Sequence, residues 1–281
     1  MQNRTRNIKK HSSRGRRVFE DLDSAIQAGL SDGLTIIKSN GRYFDYYFED
    51  RGSPVTLVTF HAAIGPNTVE YPIFTGSRFA EKLNVNLLAF ADAACGGAEK
   101  LLTFWHQSTK RVPSGKIIPQ IIDLTQRTGH EKHLIFFGSS AGGYAALHYS
   151  TFFPNSVSLV MNPRIELLGK PHRFNEYSQR AYPGWEPETV ARKIPTSMSN
   201  WYSKGRENTV FYLQNSGDKL YYNNHYSPFE AATRGQANIH FKIHNWGNGH
   251  IVPPANEYMD PLESLVEHAP NWKSAITHFT K

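Results

Sequence analysis

From Leu134 to Leu147 the chain reads Leu-Ile-Phe-Phe, then Gly138-Ser139-Ser140-Ala141-Gly142-Gly143, then Tyr-Ala-Ala-Leu. An apolar run of strand-forming residues meets a helix-forming run through glycines and small residues, with no proline between them. That order requires a strand turning sharply into a helix, and a buried strand of this kind belongs to a sheet covered by helices. Gly138 and Gly142 remove side chains where strand and helix come closest. The G-x-S-x-G spacing leaves Ser140 at the apex, with its hydroxyl above the sheet. Backbone N–H groups at the helix start, that of Ala141 first, suit a developing oxyanion. Ser139 is a rival hydroxyl away from the motif centre, and a glycine-rich structural turn is the plain alternative to a nucleophile.

The rest of the chain supplies such a sheet. Hydrophobic residues are 39% and aromatic residues 13% of 281 positions, which suits one globular domain with a large core. Leu34 to Ser39 and Arg42 to Phe48 read as strands joined at Asn40-Gly41, a pair suited to the positive φ angles of a tight hairpin. Val55 to Phe60 follows Pro54 without clean alternation, as in a central strand covered on both faces. Beyond it, helix and strand alternate. Helices are expected around Phe79 to Leu83, Ile117 to Thr128 and Gly142 to Phe152, and strands at Val85 to Phe90, His133 to Phe137 and Ser156 to Met161. Thr209 to Gln214 and Ile239 to Ile243 are later strands, and a last helix spans about Leu262 to Phe279 with a break near Pro270. The pattern predicts an α/β fold, a mainly parallel central sheet flanked by helices with right-handed crossovers.

Two stretches break the rhythm. Residues 164–204 hold Pro171, Pro183, Pro187 and Pro195, with Tyr177, Tyr182, Trp185 and Trp201 between them. The prolines limit regular helix, and the position between sheet strands predicts a cap insertion over the site. Tyr177, Tyr182, Trp185 and Trp201 are candidates to face sugar rings or acyl chains, and Arg164, His172 and Arg173 to meet an anionic group. The same aromatics suit packing of the insertion onto the body. Residues 1–17 carry Arg4, Arg6, Lys9, Lys10, Arg14, Arg16 and Arg17 and no acid, which accounts for the whole net charge of +7. This predicts a disordered basic arm, with peripheral contact to an anionic surface as a role, ahead of a single domain over 18–281 that opens with a helix from Val18 to Ala28. No apolar run reaches the roughly 18 residues of a spanning helix. Val18 and Phe19 run straight into Glu20 and Asp21, unlike a signal peptide, and Cys95 is alone, so a cytoplasmic location is expected.

A neutral serine needs a base, and the base needs a fixed tautomer. His250 lies in Gly247-Asn248-Gly249-His250-Ile251-Val252-Pro253-Pro254, a sharp loop after a strand and late in the chain. His244, nearer the strand end, is a second candidate. Asp218 leaves the strand Thr209 to Gln214 through Asn215-Ser216-Gly217, and its carboxylate is placed to accept the Nδ1 proton of His250. An ordinary turn aspartate reads the same way. Asp92 and Glu230 are weaker acids for the role. The turn His61-Ala62-Ala63 should supply a second oxyanion donor, with Ala62 preferred. His61 is open to shaping that turn, touching substrate, acting as base, or a structural role.

At these residues the sequence resembles the α/β-hydrolase superfamily, over about Val55 to Lys281. F-F-G-S-S-A-G-G-Y-A-A-L at 136–147, M-N-P at 161–163, Q-N-S-G-D at 214–218 and G-H-I-V-P-P at 249–254 further resemble a bacterial group associated with surface-polysaccharide biosynthesis. The resemblance implies a triad of Ser140, Asp218 and His250, in a superfamily that includes acyltransferases acting on sugar hydroxyls. There is no H-E-x-x-H, paired-cysteine motif or G-x-x-x-x-G-K-[ST] loop. Gly96-Gly97 makes no dinucleotide fingerprint, and His130 and His133 make no metal site by spacing. No metal and no cofactor is therefore expected, an acyl donor being a co-substrate, and nothing in the neutral body suits nucleic acid. The expected function is a serine-dependent esterase or deacylase working through an acyl-enzyme on a small molecule or glycan. An O-acyltransferase modifying a surface polysaccharide or its precursor is the alternative, and a non-catalytic partner-binding module a third reading.

Overall fold

The computed structural model describes residues 4–65, 67–96, 105–127 and 133–279; Gly97, Thr128 and His130 fall outside them. Its strands are β1 (Thr5–Arg6), β2 (Arg16–Phe19), β3 (Gly33–Ser39), β4 (Arg42–Glu49), β5 (Val55–Phe60), β6 (Glu70–Tyr71), β7 (Asn86–Phe90), β8 (His133–Ser139), β9 (Val157–Met161), β10 (Thr209–Asn215) and β11 (Ile239–His244). Its helices are α1 (Leu22–Ala28), α2 (Ser77–Leu83), α3 (Ser114–Leu124), α4 (Ser140–Ser150), α5 (Pro171–Ala181), α6 (Pro187–Ala191), α7 (Met198–Tyr202), α8 (Lys219–Tyr221), α9 (Ser227–Thr233), α10 (Ala255–Glu267) and α11 (Ile276–Phe279).

All six residues of β5 are buried, which is why its sequence does not alternate. Val58 and Phe60 pack with Ile117 and Ile121 of α3 and Ala145 of α4, while Val55 and Leu57 pack with Ala80 of α2 and Leu262 and Leu265 of α10. Successive side chains thus serve opposite faces, and each fully buried aliphatic contributes about 1.5–3 kcal/mol. Around β5 the main sheet is nine-stranded, in the order β11-β10-β9-β8-β5-β7-β4-β3-β2. Strand β4 runs antiparallel to both its neighbours, and the other pairings are parallel. The hairpin β3–β4 turns on Asn40 and Gly41, at φ 46° and 73°. From β5 the chain moves out to β7, crosses back to β8, and continues outward through β9, β10 and β11. The carboxyl ends of β5 and β8 therefore flank the point where strand order reverses, the place where such sheets open a crevice.

Two expectations are corrected. Residues 4–17 are not a disordered arm: β1 pairs with β6, and β2 joins the main sheet beside β3. Arg6 makes hydrogen bonds of 2.6 and 2.5 Å to the two oxygens of buried Asp45, Lys10 meets Glu70 at 3.4 Å, and Arg14 meets Glu49 at 3.7 Å. Body acids thus hold these basic residues, and a buried carboxylate such as Asp45 persists only with such a partner. Val18 and Phe19 lie on β2, and the helix begins later, at Leu22, where Asp21 caps it by accepting the Ser24 N–H at 2.8 Å.

The insertion after β9 is helical, carrying α5, α6 and α7. Pro171 and Pro187 open α5 and α6 rather than limiting helix, because a missing N–H leaves nothing unsatisfied in the first turn. Its two ends meet at a narrow neck. Glu166 bridges Ser197, Leu167 N–H donates to Thr196 O at 2.8 Å, and Met198 N–H donates to Ile165 O at 3.0 Å. No helix among the described residues is long and apolar enough to cross a membrane.

Candidate active site

Ser140 joins β8 to α4 with φ 51°, a left-handed conformation that a non-glycine residue holds only where its surroundings force it. The surroundings are backbone. A Cβ on Gly138 would overlap the Gly142 carbonyl, one on Gly142 would overlap the Phe60 carbonyl at the end of β5, and one on Gly143 would lie 2.7 Å from Pro163 Cβ. These glycines have ordinary φ, so close approach and not conformational freedom requires them. The Ser140 carbonyl accepts the Arg164 N–H at 2.8 Å, tying the elbow to the first residue of the insertion. Ser139 is extended, at φ −120°, one residue ahead of the apex.

The loops after β10 and β11 bring Asp218 and His250 together. His250 Nδ1 lies 2.6 Å from Asp218 Oδ2, and Asp218 Oδ1 accepts the Tyr221 N–H at 3.1 Å. Nδ1 carries the proton of that bond, which leaves Nε2 as the basic nitrogen. Burial holds the His250 pKa below the ordinary value, with Asp218 pulling it up and Arg164 and Lys170 pushing it down. The His250 loop hangs from two buried asparagines that the sequence reading missed. Asn215 Nδ2 donates to the Gly247 and Gly249 carbonyls, both at 2.9 Å, and its Oδ1 accepts the Trp246 N–H at 3.0 Å. Asn162, at φ 40°, donates to the Ile251 carbonyl at 2.9 Å and accepts the Asn215 N–H at 2.7 Å. Both stand inside quoted motifs, M-N-P and Q-N-S-G-D; a strand-end asparagine, with an amide that must find partners once buried, was the available signal.

Ser140 Oγ does not bond His250. Among the described residues its partner is the Tyr221 hydroxyl, at 3.3 Å. Tyr221 also accepts from Arg164 Nη2 at 2.9 Å, and its ring lies flat against the His250 imidazole, with centroids 3.8 Å apart. His225 stands edge-on to Tyr221 at 4.6 Å; burial first, then Arg164, Lys170 and His250, push its pKa down to about 3, so it stays neutral. Nothing in the sequence reading pointed to Tyr221.

No protein-family model matches the sequence, and no curated protein does. Solved structures do match. The capsule O-acetyltransferase of Neisseria meningitidis serogroup A superposes with a TM-score of 0.57 at 15% identity, covering 81% of this chain and 95% of that one. A histidine-to-alanine mutant of that enzyme, in complex with CoA, gives 0.55 at 14% identity, covering 80% and 95%. An S-formylglutathione hydrolase from Agrobacterium tumefaciens gives 0.54 at 9% identity, covering 86% and 94%. The chain has the α/β-hydrolase fold.

Within this α/β-hydrolase fold, several candidates prove to be supports. His61 is 2% exposed, and both of its ring nitrogens are taken up by backbone groups. Its Nδ1 donates to the Ala62 carbonyl at 2.7 Å and its Nε2 accepts the Asp92 N–H at 3.1 Å, while His106 Nε2 donates to the His61 carbonyl at 3.1 Å. Burial pushes both imidazoles down, His106 to about 4, and the neutral rings clamp successive peptides of the turn that holds half-buried Ala62. Asp92 accepts the Ala94 and His106 N–H groups in the same network, while His250 pairs with Asp218. His244 stacks on Trp246, and Glu230 pairs with Arg234. Ala141 is buried in the first turn of α4.

The cap aromatics are also corrected. Trp201 donates its indole N–H to Thr151 Oγ1 at 3.1 Å, with its ring against His148 and Arg206. Helix rise alone puts Thr151 roughly 16 Å from Ser140. Tyr182 is 7% exposed and stacks on half-buried Trp185 at 5.3 Å. Trp201 thus ties the insertion to the body, whereas Tyr182 and Trp185 pack on each other within it. Arg173 pairs with Glu176 at 3.8 Å and His172 is exposed, which leaves Arg164 as the sequence-selected cation in contact with the site.

Proposed function

We propose that this chain is a serine-dependent esterase or deacylase working through an acyl-enzyme at Ser140. The observation that carries the reading is the forced φ of 51° at Ser140, at the switch point of the sheet, with the Asp218–His250 pair on neighbouring loops. Ser140 Oγ attacks an ester carbonyl after turning from Tyr221 toward His250 Nε2, which takes its proton; such contacts are often long before substrate binds. The Ala141 and Ala62 N–H groups receive the oxyanion, and Asp218 holds the imidazolium. His250 then protonates the leaving alcohol, and water releases the acyl group. A fluorophosphonate probe should label Ser140, and Ser140→Ala should remove labelling and lower kcat on a nitrophenyl ester at least about 1000-fold with the fold intact. Labelling at Ser139, or wild-type kcat in folded Ser140→Ala, would refute it.

The second reading is an O-acyltransferase that delivers the acyl group to a glycan hydroxyl. Two observations favour it. Arg164 and Lys170 act electrostatically on His250, and neither forms an ion pair among the described residues, which suits a donor or acceptor bearing phosphate or carboxylate. A capsule O-acetyltransferase, solved once in complex with CoA, shares the fold. Incubation with an acyl donor and a glycan panel separates the readings, an acylated sugar marking transfer and free acid marking hydrolysis. Binding without either product would mark a partner-binding module.

A further inference from the structure

Tyr221 touches Ser140, His250, Asp218 and Arg164, yet the acyl-transfer steps give it no role. It is 6% exposed, its hydroxyl lies 3.3 Å from Ser140 Oγ and 2.9 Å from Arg164 Nη2, and its ring stacks on His250. A guanidinium only donates, so the Tyr221 oxygen accepts from Arg164. Among the described residues the phenol's own proton then has one acceptor at hand, Ser140 Oγ. The backbone fixes this placement: the Tyr221 N–H is held by Asp218 Oδ1 at 3.1 Å, and the chain continues into a π-helical turn, Tyr222–Tyr226, an irregularity often found at functional sites.

The geometry points to Tyr221 as a catalytic residue, a hydrogen-bond donor to Ser140 Oγ that favours the free serine over the acylated one. This rests on Ser140 being the nucleophile. An alcohol oxygen accepts hydrogen bonds well; the alkoxy oxygen of an ester accepts poorly, because its lone pair is delocalised into the carbonyl. Tyr221 therefore stabilises Oγ before acylation and again as the acyl group departs. At that second stage an acceptor hydroxyl has added to the acyl carbon and given its proton to His250. The carbon–Oγ bond then breaks, its electron pair returns to Oγ, and the Nε2 proton of His250 passes to Oγ. Tyr221 keeps its proton and donates a hydrogen bond to the oxygen while charge gathers there.

Tyr221→Phe keeps the ring against His250 and removes the hydroxyl. Wild type and variant are mixed rapidly with p-nitrophenyl acetate, and acid-quenched samples are weighed intact and mapped. In the variant, deacetylation should slow roughly 2- to 10-fold, the range of one neutral hydrogen bond, with acetylation slowed less, so acetyl-Ser140 accumulates after a nitrophenol burst. Arg164→Met, which removes the group that turns the phenol proton toward Oγ, should slow deacetylation in the same direction. Equal slowing of both steps, or unchanged deacetylation in both variants, overturns the role of Tyr221 while acetyl mapped to Ser140 keeps the nucleophile. Turnover retained in Ser140→Ala with no acetyl on Ser140 overturns the nucleophile and Tyr221 together.

Discussion

Around Ser140 the chain is packed backbone against backbone, with Gly142 under the Phe60 carbonyl and Gly143 against Pro163; around His250 the loop hangs from the side-chain amides of Asn215 and Asn162. The first arrangement is steric and buried, the second is hydrogen-bonded and reaches solvent, since the His250 side chain is 37% exposed. Steric fixing has no intermediate state: either the backbones approach or the turn is different. Hydrogen-bond fixing is graded, because each amide contributes separately and water can replace it. The rigid member of the pair thus holds the proposed nucleophile, and the adjustable member holds the proposed base.

The comparison breaks first at Gly142. Gly142→Ala places a methyl on a backbone oxygen that cannot yield, which should cost about 1–3 kcal/mol or more in urea unfolding. A shift of the elbow by an ångström should cut kcat on a nitrophenyl ester on the order of 100-fold. Wild-type kcat in this variant would show that the glycine walls do not position Ser140. On the other side, Asn215→Ala releases the Gly247 and Gly249 carbonyls toward solvent. The expected loss in kcat/KM is about 10-fold, with stability lowered by about 1–3 kcal/mol, and a loss as large as that of Gly142→Ala would abolish the distinction.

How far each region could be read in the sequence follows the same division. The elbow is local: its strand, glycines and helix lie within fourteen consecutive residues, from Leu134 to Leu147, and so does the Asn40-Gly41 hairpin within its two strands. Asp218 and His250 were legible because each leaves a strand through a glycine turn. The amides that steady them were not, since Asn162 and Asn215 become neighbours only when β9 and β10 pair. The basic N-terminus was misread for the same reason: Arg6 finds Asp45 and Lys10 finds Glu70 across long stretches of chain, where local charge gives no hint. Trp201 shows that an aromatic in an insertion can have its partner far along the chain, here Thr151, fifty residues earlier.

The smallest expected effect sharpens the comparison by pH. Ser140 and the glycines around it do not titrate in the working range, and under the proposed mechanism the acid limb of kcat/KM is that of His250. The base must be neutral, and burial lowers its pKa despite Asp218, with Arg164 and Lys170 adding to the fall. The limb should therefore lie below the ordinary histidine value of about 6.5, and activity should persist to lower pH than an unperturbed imidazole allows. Asp218→Asn removes the one raising influence, so the residual activity should show a limb displaced further toward acid. A limb above about 6.5 in the wild type would mean that a different group is titrating.

The neck at residues 165–167 and 196–198 closes the insertion at its base. Its ends are already joined by Ile165, Leu167, Thr196 and Met198, and Arg164 is bonded to the Ser140 carbonyl just outside. Doubling the length of what hangs there would add only about 0.6 kcal/mol of closure entropy. A foreign segment spliced between residues 168 and 195 would keep the neck bonds but would have to replace buried Phe174, Tyr177 and Val190, which share the core of the body. Exchanging this segment is therefore limited by the repacking of its buried underside and not by the closure of its ends.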